Sequence, residues 1–391
     1  MLRWNYTVNS GKIILTFIEG PGLKTQQHHQ YLQRALALAA TRRGYCAPNP
    51  AVGAVIAREG KVLSEGVHWA AGQPHAEAVA LAALAGQAVG ATLYVSLEPC
   101  CHQGRTPPCT DAILAAGITQ VVYGFLDPNP VVAGQGARQL ALAGVETVHL
   151  SLPECVHFYQ SYQHWHRQQR PWVTAKIALS LDGKIAGPGG ERLAITGPAL
   201  KQHTYRCRQR SDAILTTAKT IQQDNPTLDI KLGEQVESKR LYILDRSLQL
   251  TADYTIWQNT QPITVFYAAE KAGTLNQTLV QQGVRFIAVP EAPAGLDLAA
   301  ILQIIGAEGV HDLWVEAGGR LLSSLLAADR VDQLQLYTAP TWLGASAQDA
   351  FSDQLLNFAQ FPHKHWQQVG DDALCEMSRT QPEVEALCLP D

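Results

Sequence analysis

The spacing of His75-Ala76-Glu77, Glu98-Pro99-Cys100 and Cys109 constrains this chain more than any other feature. One imidazole and two thiols are the ligand set of a tetrahedral zinc site with one open position, provided the fold brings the three together. The alanine-rich residues 75–85 read as a helix and residues 92–97 as a strand. The fold must therefore set a helix start against the end of a strand, with Cys100 and Cys109 just before or at helix starts, where the dipole favours a thiolate. Glu77 is then a non-ligand carboxylate beside the site, suited to take a proton from a zinc-acidified water and pass it on. The ordinary alternative makes His75 and Glu77 a capping pair and the cysteines buried apolar residues. A lone His-x-Glu would deserve that reading, but Glu-Pro-Cys and a second cysteine favour zinc.

Strand and helix patterns alternate on both sides of this motif. Leu32, Ala35, Leu36 and Ala39 give one apolar helical face, Pro48-Asn49-Pro50 ends it, and residues 52–57 and 62–66 read as a hairpin around Gly60-Lys61. Helices at 110–116 and 137–143 and strands at 120–125 and 146–150 follow. The alternation predicts a largely parallel sheet with helices on its faces. Residues 1–27 lack periodicity and read as an extension outside the core, whereas 155–171 read as a helix plus a linker closed by Pro171. A second alternation begins at Trp172, with strands at 172–178, 213–215, 240–244, 263–267, 284–289 and 312–315. Helices at 198–210, 219–224, 275–282, 298–308 and 321–327 lie between them, and 331–339 and 366–389 supply further strand candidates. The expected division is an extension at 1–27 and α/β domains at 28–170 and 171–391, since a chain of 391 residues has room for two.

Composition narrows the partners. With 46% hydrophobic and 16% charged residues the chain can bury large cores, and its formal charge of −4 argues against a general nucleic-acid surface. No apolar run approaches the roughly 18 residues of a membrane span. The eight cysteines are scattered and do not form a disulfide framework. The expectation is a cytoplasmic homo-oligomer acting on a small molecule, without nucleic-acid or membrane partners.

Longer motifs sharpen this. Pro48-Asn49-Pro50-x-Val52-Gly53, Gly66-x-His68-x-x-Ala71-Gly72-x-Pro74-His75-Ala76-Glu77 and Leu97-Glu98-Pro99-Cys100-x-His102-x-Gly104-Arg105-Thr106-Pro107-Pro108-Cys109 closely resemble the deaminase half of the bifunctional riboflavin-biosynthesis deaminase/reductase family (RibD type), and Asp127-Pro128-Asn129-Pro130 adds to the match. The insert before Cys109 separates this family from zinc deaminases with Cys-x-x-Cys spacing. The resemblance implies a cytidine-deaminase-like α/β/α domain with zinc on His75, Cys100 and Cys109 and Glu77 as the catalytic acid–base. It also implies that Asn49, His68, His102, Arg105 and Asn129 line the pyrimidine and phosphate pocket. Read alone, each is equally a turn residue, a loop histidine or a solvated charge.

Lys176-x-Ala178-x-Ser180-Leu181-Asp182-Gly183-Lys184, Ile195-Thr196-Gly197, Asp224-Asn225-Pro226-x-Leu228 and Val315-Glu316-Ala317-Gly318-Gly319 resemble the reductase half of the same family, which is similar in fold to dihydrofolate reductase. Physically, Gly318-Gly319 between strand and helix lets backbone N–H groups approach a pyrophosphate, though a bare glycine pair is as often only a tight turn. The resemblance implies NADPH contacts from Leu179, Ala194, Thr220, Asp224, Gly318 and Gly319. It implies substrate contacts from Lys176, Thr196, Arg208, Leu228, Lys231 and Glu316, with Arg208 able to grip phosphate through a bidentate fork. Three positions depart from the family pattern: Ala194 replaces a tryptophan, Arg192 a serine, and Lys231 an arginine whose bidentate geometry a lysine lacks. The implied activity is zinc-dependent deamination of 2,5-diamino-6-ribosylamino-4(3H)-pyrimidinone 5′-phosphate, then NADPH-dependent reduction of the ribosyl group to ribityl. Rival readings are a nucleoside or nucleic-acid deaminase with an accessory domain, a deaminase with an impaired reductase, and a zinc-stabilised binding protein.

Overall fold

A computed structural model describes residues 4–9, 12–17, 23–104, 106–351 and 358–380. The chain divides into two compact units, the first running to Arg167 and the second from Gln168.

The first unit contains β1 (Trp4–Asn9), β2 (Lys12–Phe17), α1 (Leu23–Ala40), β3 (Gly53–Arg58), β4 (Lys61–Val67), α2 (Ala76–Ala82), β5 (Thr92–Val95), α3 (Cys109–Ala115), β6 (Gln120–Tyr123), α4 (Gln135–Leu142), β7 (Glu146–His149), α5 (Pro153–Phe158) and α6 (Gln160–Gln168). Its sheet has the order β2-β1-β7-β6-β5-β3-β4. Side chains alternate between faces with the strand period of two. Val55, Tyr94, Val122 and Val148 meet Leu32, Leu36 and Ala39 of α1 and Phe158 and Tyr159 beyond it. Ala54, Ile56, Leu93, Val95 and Val121 meet Ala76, Ala80, Ile113 and Leu140 of α2, α3 and α4. The result is a sheet between two helical layers.

Two expectations are corrected here. The sheet is mixed: β5, β6 and β7 run parallel, but β3 is antiparallel to both β4 and β5. Residues 1–27 are not simply an extension, because β1 and β2 form a hairpin whose β1 pairs with β7, and α1 already begins at Leu23.

Glycines set the depth of the layers. A Cβ on Gly53 would lie 2.1 Å from the Ala35 carbonyl oxygen, and one on Gly66 2.1 Å from that of Ala76. Both positions therefore require glycine, and Gly66 lets the first turn of α2 lie directly on β4.

The second unit contains β8 (Trp172–Ser180), β9 (Lys184–Pro188), α7 (Pro198–Arg210), β10 (Ala213–Thr217), α8 (Ala218–Asp224), β11 (Ile230–Leu232), β12 (Gln235–Glu237), β13 (Arg240–Leu244), β14 (Ile263–Ala268), α9 (Gln277–Gln281), β15 (Arg285–Val289), β16 (Glu291–Ala292), β17 (Gly295–Leu296), α10 (Leu298–Ala307), β18 (Asp312–Glu316), α11 (Gly319–Ala327), β19 (Gln333–Ala339), β20 (Ala347–Asp349), β21 (His363–Val369) and β22 (Asp372–Ser378). The main sheet runs β15-β14-β13-β10-β18-β8-β19-β22-β21. It is parallel from β15 to β19, and β22 and β21 close one edge antiparallel. Val173, Ala175 and Ile177 of β8 join Leu313 and Val315 of β18 in the core, with α10 and α11 packed against them. This apolar parallel centre is what helices on its faces require.

Candidate active sites

In the first unit His75 is the residue from which α2 starts and Cys109 the first residue of α3. Cys100 opens no helix; it lies in the irregular stretch between β5 and α3, which corrects the expectation for that cysteine. Its position is fixed by the preceding glutamate. The Glu98 carboxylate accepts hydrogen bonds from the Gly134 and Ala137 amides at 2.9 and 3.1 Å. A Cβ on Gly136 would fall 1.9 Å from the Pro99 carbonyl oxygen, so the start of α4 rests against the Pro99 backbone.

The Cys100 and Cys109 sulfurs lie 3.5 and 3.3 Å from His75 Nδ1, and the three ligand atoms all fall within 4.8 Å of one another. Zinc–sulfur bonds of about 2.3 Å and a zinc–nitrogen bond of about 2.0–2.1 Å put tetrahedral ligands roughly 3.5–3.8 Å apart. The trio fits zinc in donor type and in spacing. With Nδ1 turned to the sulfurs, His75 Nε2 carries the proton and donates to Thr106 Oγ1 at 3.2 Å, the outer bond that fixes a ligating imidazole. Cys100 is the acidic thiol, lowered by Cys109 and His75, and the same contact raises Cys109. Glu77 is buried, and burial together with the Cys100 charge pushes its carboxyl up to about 7.

Two of the other expected residues adjoin this trio. Asn49 Nδ2 donates to His68 Nε2 at 3.1 Å, while His68 Nδ1 donates to the Pro74 carbonyl at 3.0 Å. Burial lowers the His68 pKa, in keeping with this neutral tautomer, and its ring meets that of His75 edge-on at 5.3 Å. Asn129 sits in a turn: its amide donates to Asp127 Oδ1 at 2.8 Å and its Oδ1 accepts from the Val131 amide at 3.1 Å. Burial pushes the Asp127 carboxyl up to about 7. His102 lies in the loop between the two cysteines, its Nδ1 buried with no partner among the described residues. Arg105 lies outside the described residues.

In the second unit a cleft of about 840 Å³ opens at the carboxyl ends of the central strands, where open α/β sheets bind their ligands. Lys176, Ala194, Thr196, Arg208, Thr220, Asp224, Leu228, Lys231, Glu316, Gly318 and Gly319 all line it. Leu179 does not. It packs, partly buried, against the apolar core that holds Val173, Ala175 and Ile177.

At the centre Arg208 is closed on Glu316, Nε to Oε1 at 2.5 Å and Nη2 to Oε2 at 2.9 Å, while Nη1 donates to the Asp229 carbonyl. The fork expected to grip phosphate is therefore occupied, because a guanidinium this deeply buried needs a countercharge. Burial alone would raise the Glu316 carboxyl, but Arg208 outweighs it and holds the group at about 2. Lys176 is buried over the Tyr337 ring, 5.1 Å from its centroid, and burial lowers its pKa. Arg192 donates to the Asp224 carbonyl at 3.0 Å.

The two glycines differ. A Cβ on Gly319 would collide with the Ala350 carbonyl oxygen at 1.3 Å, so packing demands that residue. Gly318 faces open space in the cleft, and α11 begins there without a side-chain cap, as an incoming phosphate needs. Leu228 is buried with a left-handed φ of 55°, an uncommon conformation for a leucine. Arg246, Ser247 and Gln249, on the turn after β13, also line the cleft and are missed by sequence reasoning. A polar run directly after an apolar strand is the signal that marks them.

The cytidine and deoxycytidylate deaminase zinc-binding region matches residues 25–125, and the RibD C-terminal domain matches residues 171–375. The riboflavin biosynthesis protein RibD of Escherichia coli is 36% identical over 358 residues, covering 88% of this chain and 98% of its own. That of Aquifex aeolicus is 36% identical over 80% of this chain and 87% of its own. Among solved structures, Acinetobacter baumannii RibD superposes with a TM-score of 0.81 at 34% identity, covering 91% of this chain and 99% of its own. A diaminohydroxyphosphoribosylaminopyrimidine deaminase/5-amino-6-(5-phosphoribosylamino)uracil reductase from Thermotoga maritima gives 0.80 at 30% identity, covering 90% and 99%. With both halves matched over nearly the whole length of these relatives, the chain belongs to the RibD family of riboflavin biosynthesis.

Proposed function

We propose that this bifunctional riboflavin-biosynthesis enzyme deaminates 2,5-diamino-6-ribosylamino-4(3H)-pyrimidinone 5′-phosphate in residues 28–170 and reduces the ribosyl group of the product to ribityl with NADPH in residues 171–391. The observation that carries the first step is one buried carboxyl, Glu77, beside three ligand atoms spaced for zinc. Zinc, when bound to His75, Cys100 and Cys109, supplies the Lewis acidity that makes water a nucleophile at neutral pH. Glu77 takes the proton from that water as oxygen adds to the amidine-like ring carbon, then delivers it to the departing amine, so that ammonia and a carbonyl result. His68 and Asn49 hold the pyrimidine edge, and His102, Arg105 and Asn129 complete the pocket.

In the reductase, Thr220, Asp224, Ala194 and the Gly318-Gly319 turn receive the nicotinamide nucleotide. The uncapped α11 start and the open face of Gly318 support that placement. Glu316, fixed by Arg208, and buried Lys176 face the ribose, with Thr196 and Leu228 on the wall, and Lys231 meets the phosphate. We read the enzyme as a cytoplasmic homo-oligomer acting on a free nucleotide. The net charge of −4 favours a free nucleotide over nucleic acid as the substrate, and among the described residues no helix is long and apolar enough to cross a membrane.

The test is to supply the diaminopyrimidine nucleotide and follow ammonia, then NADPH absorbance, alongside zinc content, for wild type and Glu77→Ala. Stoichiometric zinc, ammonia lost in the variant, and NADPH oxidation by both on the deaminated compound are expected. Ammonia without NADPH oxidation would leave a deaminase only. Ammonia from cytidine or tRNA alone would overturn the substrate.

A further inference from the structure

His68 and His75 are joined by a short irregular stretch, and the contacts that hold its first two residues come from the chain just beyond α1. The Arg42 guanidinium lies between two rings, its central carbon 4.8 Å from the Tyr45 centroid and 4.6 Å from that of Trp69. From there its Nη2 and Nε both donate to the Trp69 carbonyl, at 3.1 and 3.3 Å. The Cys46 thiol donates to the His68 carbonyl at 3.2 Å, and the His68 amide donates to the Val52 carbonyl at 2.9 Å. The Asn49 amide donates to the Cys46 carbonyl at 2.9 Å, so the segment that holds the His68 backbone also carries the His68 side-chain partner. Trp69 is 54% exposed and outside the buried cores, and the Arg42 guanidinium lies over its ring.

We propose that Arg42 is a positioning residue of the deaminase, fixing the peptide of Trp69 and thereby the orientation of the His68–Asn49 pair toward the pyrimidine. This rests on the reading that His68 and Asn49 contact the substrate. Arginine is required because one planar fork delivers two donors to a single carbonyl while its faces stack on Tyr45 and Trp69; a lysine ammonium cannot do both. The effect belongs to binding, since neither Arg42 nor Trp69 touches the zinc ligands or Glu77.

The experiment measures ammonia release, zinc content, and NADPH oxidation on the deaminated nucleotide for Arg42→Ala, Arg42→Lys, Trp69→Leu and His68→Ala. Misplacing a positioning group costs about tenfold or more. The expected result is a rise in KM of about tenfold for Arg42→Ala and Trp69→Leu, kcat within about twofold, and zinc and NADPH oxidation unchanged. Arg42→Lys should recover only a small part of that loss. If His68→Ala raises KM but Arg42→Ala and Trp69→Leu do not, the clasp is wrong while the pocket stands. If His68→Ala changes neither constant, the pocket reading falls and the proposal falls with it. Loss of zinc and of both activities in Arg42→Ala and Arg42→Lys alike would make Arg42 a folding residue and also overturn it.

Discussion

The two sites are built on opposite plans. In the first unit three side chains bring their ligand atoms within 4.8 Å of one another around one prospective ion, and the catalytic carboxyl is buried beside them. In the second a wide cleft gathers residues from Lys176 to Gln348, and two of its largely buried charges, Arg208 and Glu316, neutralise one another. A metal ion needs only three donors at fixed distances, and a few short motifs supply them. A dinucleotide and a sugar phosphate need a long surface, which a sheet supplies by contributing one or two residues from each strand end. The first site is therefore sensitive to single atoms, and the second to the network that keeps its walls in place.

The sharpest challenge to this contrast is Glu77→Gln. Losing the acid–base group should lower deamination by about 10²–10⁴-fold while zinc content and NADPH oxidation on the deaminated compound stay as in wild type; a fall of less than tenfold would deny Glu77 its role. Next is Glu316→Gln, which strips a buried guanidinium of its partner and should cost about 3 kcal/mol or more in urea unfolding of the reductase unit. The sign with pH follows from a carboxyl held at about 2 in the fold against an ordinary 4.5. The stability difference between wild type and variant is fully present above the ordinary value and disappears as pH falls from there through about 2. A gap that widens on acidification would contradict the pairing. Thr106→Val removes the acceptor for His75 Nε2 and should weaken zinc about tenfold in chelator competition; unchanged affinity would show that His75 is oriented by packing alone. The smallest effect, and a gain, is expected for Lys231→Arg, where a forked cation should lower the KM of the reductase substrate a few-fold.

Legibility followed the same divide. His75, Glu77, Cys100 and Cys109 were readable because the chemistry of zinc restricts residue type and spacing so tightly. What positions them was not: Glu98 works through amides from the start of α4, donors that exist only after folding. In the cleft, Glu316 and Gly318 could be named from motifs, yet the closure of Arg208 on Glu316 could not, since no spacing rule links α7 to β18. Leu179 was named from its motif, and only the fold shows its side chain packed on the apolar core. The edge hairpin was overlooked although Ser10-Gly11, a turn-forming pair between two runs rich in aromatic and β-branched residues, was the available cue.

Gly53 and Gly66 lie on neighbouring strands at the open end of one hairpin, one against the carbonyl of Ala35 and the other against that of Ala76. Main chain touching main chain leaves no side chain whose enlargement or trimming can adjust the gap. The hairpin thus acts as a rigid gauge between α1 and α2. The distance from His75 to the sheet is thereby set by backbone alone, so exchanging side chains in the pocket can change what the deaminase binds without moving the first zinc ligand.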